Sequence, residues 1–250
     1  MAYVEYLRNR RMIVTLTIVV AAVVGLALLG FFTSSGPHRG LAADHGAHQP
    51  VLSVLFLIAG YVTGIVGSVS GSFFSQERGR AALSLTKPVS RTRFALNYLA
   101  VDTAGMIAAF LIIFLLGELV PLSAMGLHAF TFDGDVWTLL ILGLGFAFAL
   151  YAVVRLLGTI FGHGGLFAGL IWAFGLLLVG LASLHLPWLL HDLVVALNFV
   201  NPIAYLESFD TNDAAKSVLP LSFQGRLIGE WLLVIVAAAG SVVAWNRLED

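Results

Sequence analysis

The chain of 250 residues has no cysteine, so disulfide frameworks, thiolate nucleophiles and zinc–thiolate sites are excluded and the redox compartment leaves no mark. Charge is scarce as well. Only 11% of residues are charged, against about 25% in an ordinary soluble domain. Thirteen basic and fourteen acidic side chains nearly cancel, which gives no electrostatic reason to expect nucleic acid as a partner. The alternation that barrel strands need is missing, as are an internal repeat and a low-complexity tail. What is present in excess is apolar: 59% of residues are hydrophobic. A lipid bilayer is the solvent such a composition fits.

Six runs reach the length of about 20 helical residues needed to cross the hydrocarbon. They lie near Met12 to Phe32, Val51 to Ser70, Phe94 to Leu116, Trp137 to Leu157, Leu166 to Leu186 and Leu227 to Trp245. Each is apolar all round, which predicts helices packed in lipid and on one another. The expected fold is therefore one all-α integral membrane domain over residues 1–250 with six transmembrane helices. The first run follows Arg8, Arg10 and Arg11 and is too long for a signal-peptide core, so it reads as a retained anchor.

Basic residues orient the set. Arg8, Arg10, Arg11, Arg78, Arg80, Lys87, Arg91, Arg93, Arg155 and Arg247 fall on one side of the predicted membrane, against Arg39, Lys216 and Arg226 on the other. The positive-inside rule makes the richer side cytoplasmic, with both termini there. On the outer side, Trp188 to Phe199 is apolar but too short to span, and Asn201-Pro202 stops it. This predicts a short re-entrant or interfacial helix between the fifth and sixth spans. Non-helical backbone at membrane depth must then be covered by protein or line a wet cavity.

Several chemistries fit poorly. No Gly-x-x-x-x-Gly-Lys-Ser/Thr phosphate cradle occurs, so the chain does not hydrolyse ATP alone. Ser70-Gly71 lacks the first glycine of an intramembrane serine protease turn, and Gly60, Gly64, Gly67 and Gly71 read better as close helix contacts. His38, Asp44, His45 and His48 share an outer loop, but their spacing matches no standard metal site and a solvated loop is the simpler reading. Glu118 and Glu230 fall near outer helix ends, where an acid needs no special role. Asp102 differs. It lies about 12 Å inside the third span, where a carboxylate must face water or a partner. Arg155 could reach toward it along its aliphatic stem, and Asn97 and Tyr98 could extend a polar strip along a translocation path.

The loop between the second and third spans carries the most specific pattern. Glu77, Arg78, Gly79 and Arg80 belong to a polar helical extension, and Lys87-Pro88 ends it before Val89, Ser90, Arg91 and Arg93 lead into the third span. This stretch resembles the hallmark of permease subunits of type-2 ABC exporters, Glu-x-Gly-Thr-Leu followed by Leu-Leu-Ser-x-Pro-Val-Ser-Arg. Glu77 and Gly79 match the first part; Leu85, Pro88, Val89, Ser90 and Arg91 match the second, with Thr86 in place of serine. Arg80, Ser75 and Ser84 depart from the pattern. Asn201, Pro202 and Tyr205 are similar to the Asn-Pro-x-x-Tyr region of the same permeases.

The resemblance implies a half-transporter. Two permease chains, identical or not, would stand side by side, and separate cytoplasmic ATPases would bind ATP and magnesium and dock on the basic loop. This chain itself would bind no cofactor and catalyse nothing. Two other classes stay open: a non-pumping membrane assembly or metal-maturation factor, and an intramembrane enzyme dependent on Asp102 or a histidine. The cargo, whether lipid, drug, peptide or polysaccharide, is not written in these residues.

Overall fold

The computed structural model describes residues 59–72, 90–125, 134–182, 184, 187–209 and 218–247. All regular structure among them is helical. A helical stretch, α1, covers 59–72. It is followed by α2 (Arg91–Met125), α3 (Gly134–Phe161), α4 (Gly164–Ala182), α5 (Trp188–Asn198), a 3-10 segment (Pro202–Phe209) and α6 (Phe223–Arg247). Four of these contain stretches long and apolar enough to cross a membrane: Thr92–Leu115, Leu140–Phe161, Gly164–Ala182 and Phe223–Arg247. The third to sixth predicted spans are thus helices. The second is helical where described, and the first lies outside the described residues, as do the histidine loop and most of the basic loop.

Local chemistry sets the helix ends. Ser90 caps α2: its hydroxyl accepts from the Arg93 N–H at 3.3 Å, and its carbonyl accepts from Phe94 N–H at 3.0 Å. At the far end α2 runs beyond the expected stop near Leu116, through Gly117 and Pro121 to Met125. Pro121 removes one helical hydrogen bond, while Glu118, Leu119, Leu122 and Met125 are good helix formers that carry the chain across it. Gly162 adopts a φ of 78° just past α3 and donates to Gly158 O at 2.9 Å, a left-handed stop that glycine makes without strain.

α3 is the hub. Its residues Phe146, Ala147, Ala149, Leu150 and Val154 are fully buried, whereas α4 exposes Leu166, Phe174, Leu176 and Leu177. The glycines of α1 lie on α3 as expected. A β-carbon on Gly60 would sit 3.1 Å from Gly143 Cα, one on Gly67 3.1 Å from Ala147 O, and one on Gly71 2.9 Å from Tyr151 O. Backbones that close exclude any larger side chain. The contact runs in step along both helices, so α1 and α3 are parallel. Gly145 meets Glu230 and Leu156 meets Gly240, which makes α6 parallel to α3 too. α2 runs the other way, with Ala95 beside Arg155 and Asp102 beside Tyr151.

After Ala182 the chain turns back along α4. Asn198 donates to Leu178 O at 3.2 Å, and Asn201 donates to Gly175 O at 3.0 Å and to Asn198 Oδ1 at 2.8 Å. Helix α5 therefore descends beside α4, and the turn after it reaches the level of Gly175. Ile203 packs there with Phe146 and Leu150, which belong to the interior of the third apolar helix. Helix α5 and the turn after it are thus folded back against α4 and α3.

Candidate functional site

Two buried polar centres lie on the hub helix. The first joins α2 and α3. Asp102, Tyr151 and Arg155 are all almost fully buried. Tyr151 donates its hydroxyl proton to Asp102 Oδ2 at 2.7 Å, and Arg155 Nη1 donates to the Tyr151 oxygen at 2.6 Å. Arg155 Nη2 donates to Ala95 O at 2.9 Å, one turn into α2. Tyr151 and Arg155 are four apart on α3 and so share a face, which lets one helix present both to Asp102. A charge this deep needs a hydrogen-bonded counterpart, and the tyrosine supplies the link between the two.

Asp102 faces the bundle interior, as its depth predicts. Arg155 reaches toward it through the Tyr151 hydroxyl, a residue that the sequence did not single out. Asn97 is exposed and lies about 140° around α2 from Asp102 at 100° per residue. Tyr98 is half-buried and packs beside Phe94, its ring 4.6 Å from that of Phe94, which in turn stacks on Trp245. The three residues of the expected polar strip are therefore not gathered on one face.

The second centre joins α3, α6 and the 3-10 segment. Glu230 is fully buried, although its position near a helix end gave no reason to expect it. Its Oε2 lies 2.5 Å from where a β-carbon on Gly145 would be, with Trp231 Nε1 3.1 Å from the same point. Neither carboxyl oxygen of Glu230 has a hydrogen-bond partner among the described residues, nor does the Trp231 indole nitrogen. Tyr205 stands over Gly229, and its hydroxyl donates to Phe199 O at 3.0 Å. The signal that could have exposed Glu230 is Gly145, the small residue opposite it, but pairing the two requires the α3–α6 register.

The other expected site residues are distributed as follows. Asn201, Pro202 and Tyr205 are buried together in the turn after α5, where Asn201 Oδ1 also accepts from the Ile203 N–H at 3.1 Å. Ser90 and Arg93 are exposed at the start of α2, and Arg91 opens that helix. Glu77, Arg78, Gly79, Arg80, Leu85, Lys87, Pro88 and Val89 lie outside the described residues. Among the described residues no group of three or more His, Asp or Glu side chains could hold a metal ion.

The apolar helices and the buried polar centres are those of a helical membrane protein. Compared with known proteins, the chain matches no family model, no curated protein and no solved structure.

Proposed function

We propose that the chain is the permease subunit of a type-2 ABC exporter, six spans with both termini in the cytoplasm. It would pair with a second permease chain and with two cytoplasmic ATPase subunits that bind ATP and magnesium. The reading is supported by the motif from Glu77 to Arg91 and by the way the end of that motif is tied to the bundle. Ser90, its penultimate residue, caps α2, and Arg155 of the hub helix holds α2 one turn further in, at Ala95 O. Movement of a docked loop would therefore act on α2 at its root and pass to α3 through the buried Asp102, Tyr151 and Arg155. That mechanical connection is the observation on which the reading chiefly rests. The basic loop would select an acidic groove on the ATPase and speed the encounter.

The test is co-purification from the native membrane. The wild-type chain should bring down an ABC ATPase, and the double variant Glu77→Lys, Arg91→Glu should lose it while remaining inserted and thermally stable. ATPase bound equally by both forms would overturn the coupling assignment. A wild-type chain that never retains an ATPase would favour the non-pumping class.

A further inference from the structure

We infer that the seam between the start of α2 and the end of α6 binds the headgroup of an anionic phospholipid through Arg93 and Arg247. The inference rests on the membrane character of these two helices and is independent of the exporter reading.

The two helix ends lie at headgroup depth. The apolar span of α2 starts at Thr92 and has 24 residues, and that of α6 has 25 and ends at Arg247. At about 1.5 Å per residue each extends about 36 Å, against about 30 Å of hydrocarbon, so the ends emerge among the headgroups. Because α2 and α6 are antiparallel, the start of one meets the end of the other. A polar pair fixes the level: Asn246 Nδ2 donates to Thr92 Oγ1 at 3.2 Å, and the Thr92 hydroxyl lies 3.4 Å from Asn246 Oδ1. Beneath it Phe94 stacks on Trp245 at a ring separation of 5.9 Å, with Tyr98 4.6 Å from Phe94. Aromatic rings gather at that boundary of the bilayer.

Arg93 and Arg247 are both exposed, and each is next in sequence to one member of the Thr92–Asn246 pair. The pair therefore holds two cationic turns side by side. Arg247 suits the negative end of the α6 dipole, but Arg93 sits in the first turn of α2, where the dipole disfavours a cation and no acidic residue accompanies it. Its charge is directed outside its own helix. At headgroup depth the group that fits is a phosphodiester, because a guanidinium presents planar paired donors to phosphate oxygens. Asn246 has a second amide proton to add, since Thr92 takes only one. Two arginines favour a lipid of net negative charge over one whose headgroup carries its own cation. Just inside the pair, Leu96 of α2 and Val243 of α6 are exposed and give the acyl chains apolar surface.

The full chain in nanodiscs tests this, with phosphatidylcholine alone or mixed with phosphatidylglycerol. Native mass spectrometry should show the wild type retaining phosphatidylglycerol in preference, and the mixture should raise its melting temperature. The preference should fall about fivefold with each of Arg93→Gln and Arg247→Gln, while melting in phosphatidylcholine stays at the wild-type value. Asn246→Ala removes no charge but frees the two turns, so it should weaken the preference too. Inorganic phosphate added to phosphatidylcholine discs should not reproduce the stabilisation. No preference in the wild type, or a preference that survives in the double variant, would overturn the inference. Full preference in Asn246→Ala would reduce it to diffuse surface charge, and stabilisation by inorganic phosphate would rule out the lipid as the specific ligand. A double variant that keeps its lipid preference but loses a co-purified ATPase would assign the arginines to that partner instead. A wild-type chain that retains no ATPase leaves these lipid results as they stand.

Discussion

Tyr151 holds the position on which the α2–α3 contact depends, because its oxygen both donates to Asp102 and accepts from Arg155. Tyr151→Phe keeps the ring packing and removes only that oxygen. It should lower stability by about 1–3 kcal/mol, the usual cost of leaving buried polar partners unsatisfied. Tyr61→Phe, at an exposed ring that packs edge-on to Trp172, should be close to neutral. Thermal unfolding of the two variants in the same detergent checks the contrast. Asp102 was legible in the sequence because a carboxylate so far along an apolar run must turn inward. Tyr151 was not, since a tyrosine in a span is ordinary and its role follows from a register between antiparallel helices that hydrophobic periodicity does not encode. Glu230 was obscured for a related reason. A position near a helix end reads as wet unless something folds over it, and here the 3-10 segment places Tyr205 beside it.

Among the elements, α5 and the turn after it are tied to α4 by two asparagines on its carbonyls, while Ile203, Ala204 and Tyr205 add apolar packing. Much of α5 is outward-facing: Trp188, Leu189, Leu190, Leu193 and Leu197 are exposed, and only Val194 and Asn198 are buried. Gly175 is what permits the approach, for a β-carbon there would fall 2.6 Å from Asn201 Oδ1 and 2.7 Å from Ile203 Cδ1. Gly175→Ala should therefore unseat the turn and destabilise the chain. Gly169→Ala, on the same helix with open space around it, should be neutral or gain a few tenths of a kcal/mol, up to about 1, from helix propensity. Proteolysis of the 187–209 segment, alongside the melting temperature, checks the difference. The stop at Asn201-Pro202 was readable because proline restricts the residue before it. The descent of α5 was not, since it depends on asparagine side chains meeting carbonyls on a neighbouring helix. By contrast, the glycine row of α1 was readable, because small side chains recurring every three or four residues let apolar helices approach closely.

For the whole molecule, the alternating directions of α2, α3, α4 and α6 put Arg93 and Trp188 at opposite ends of the bundle. Arg93→Cys and Trp188→Cys, each the sole cysteine of its chain, should be labelled by an impermeant reagent from opposite faces of a sealed membrane, Arg93→Cys from the cytoplasm. Labelling from one face would overturn the arrangement. The apolar runs made the four long described helices legible, because span length acts at the scale of the bilayer. The central place of α3 was hidden, since all the long runs are similarly apolar and burial inside the bundle leaves little trace in composition.

The turn at Asn201 also constrains how the chain is made. Helix α5, with 11 residues, reaches only about 16 Å and is too short to be inserted as a span of its own. Its anchors, the carbonyls of Gly175 and Leu178, exist only once α4 is helical, and the bed for Ile203 exists only once α3 and α4 are side by side. The segment from Pro187 onward can therefore take its seat only once α3 and α4 have packed together.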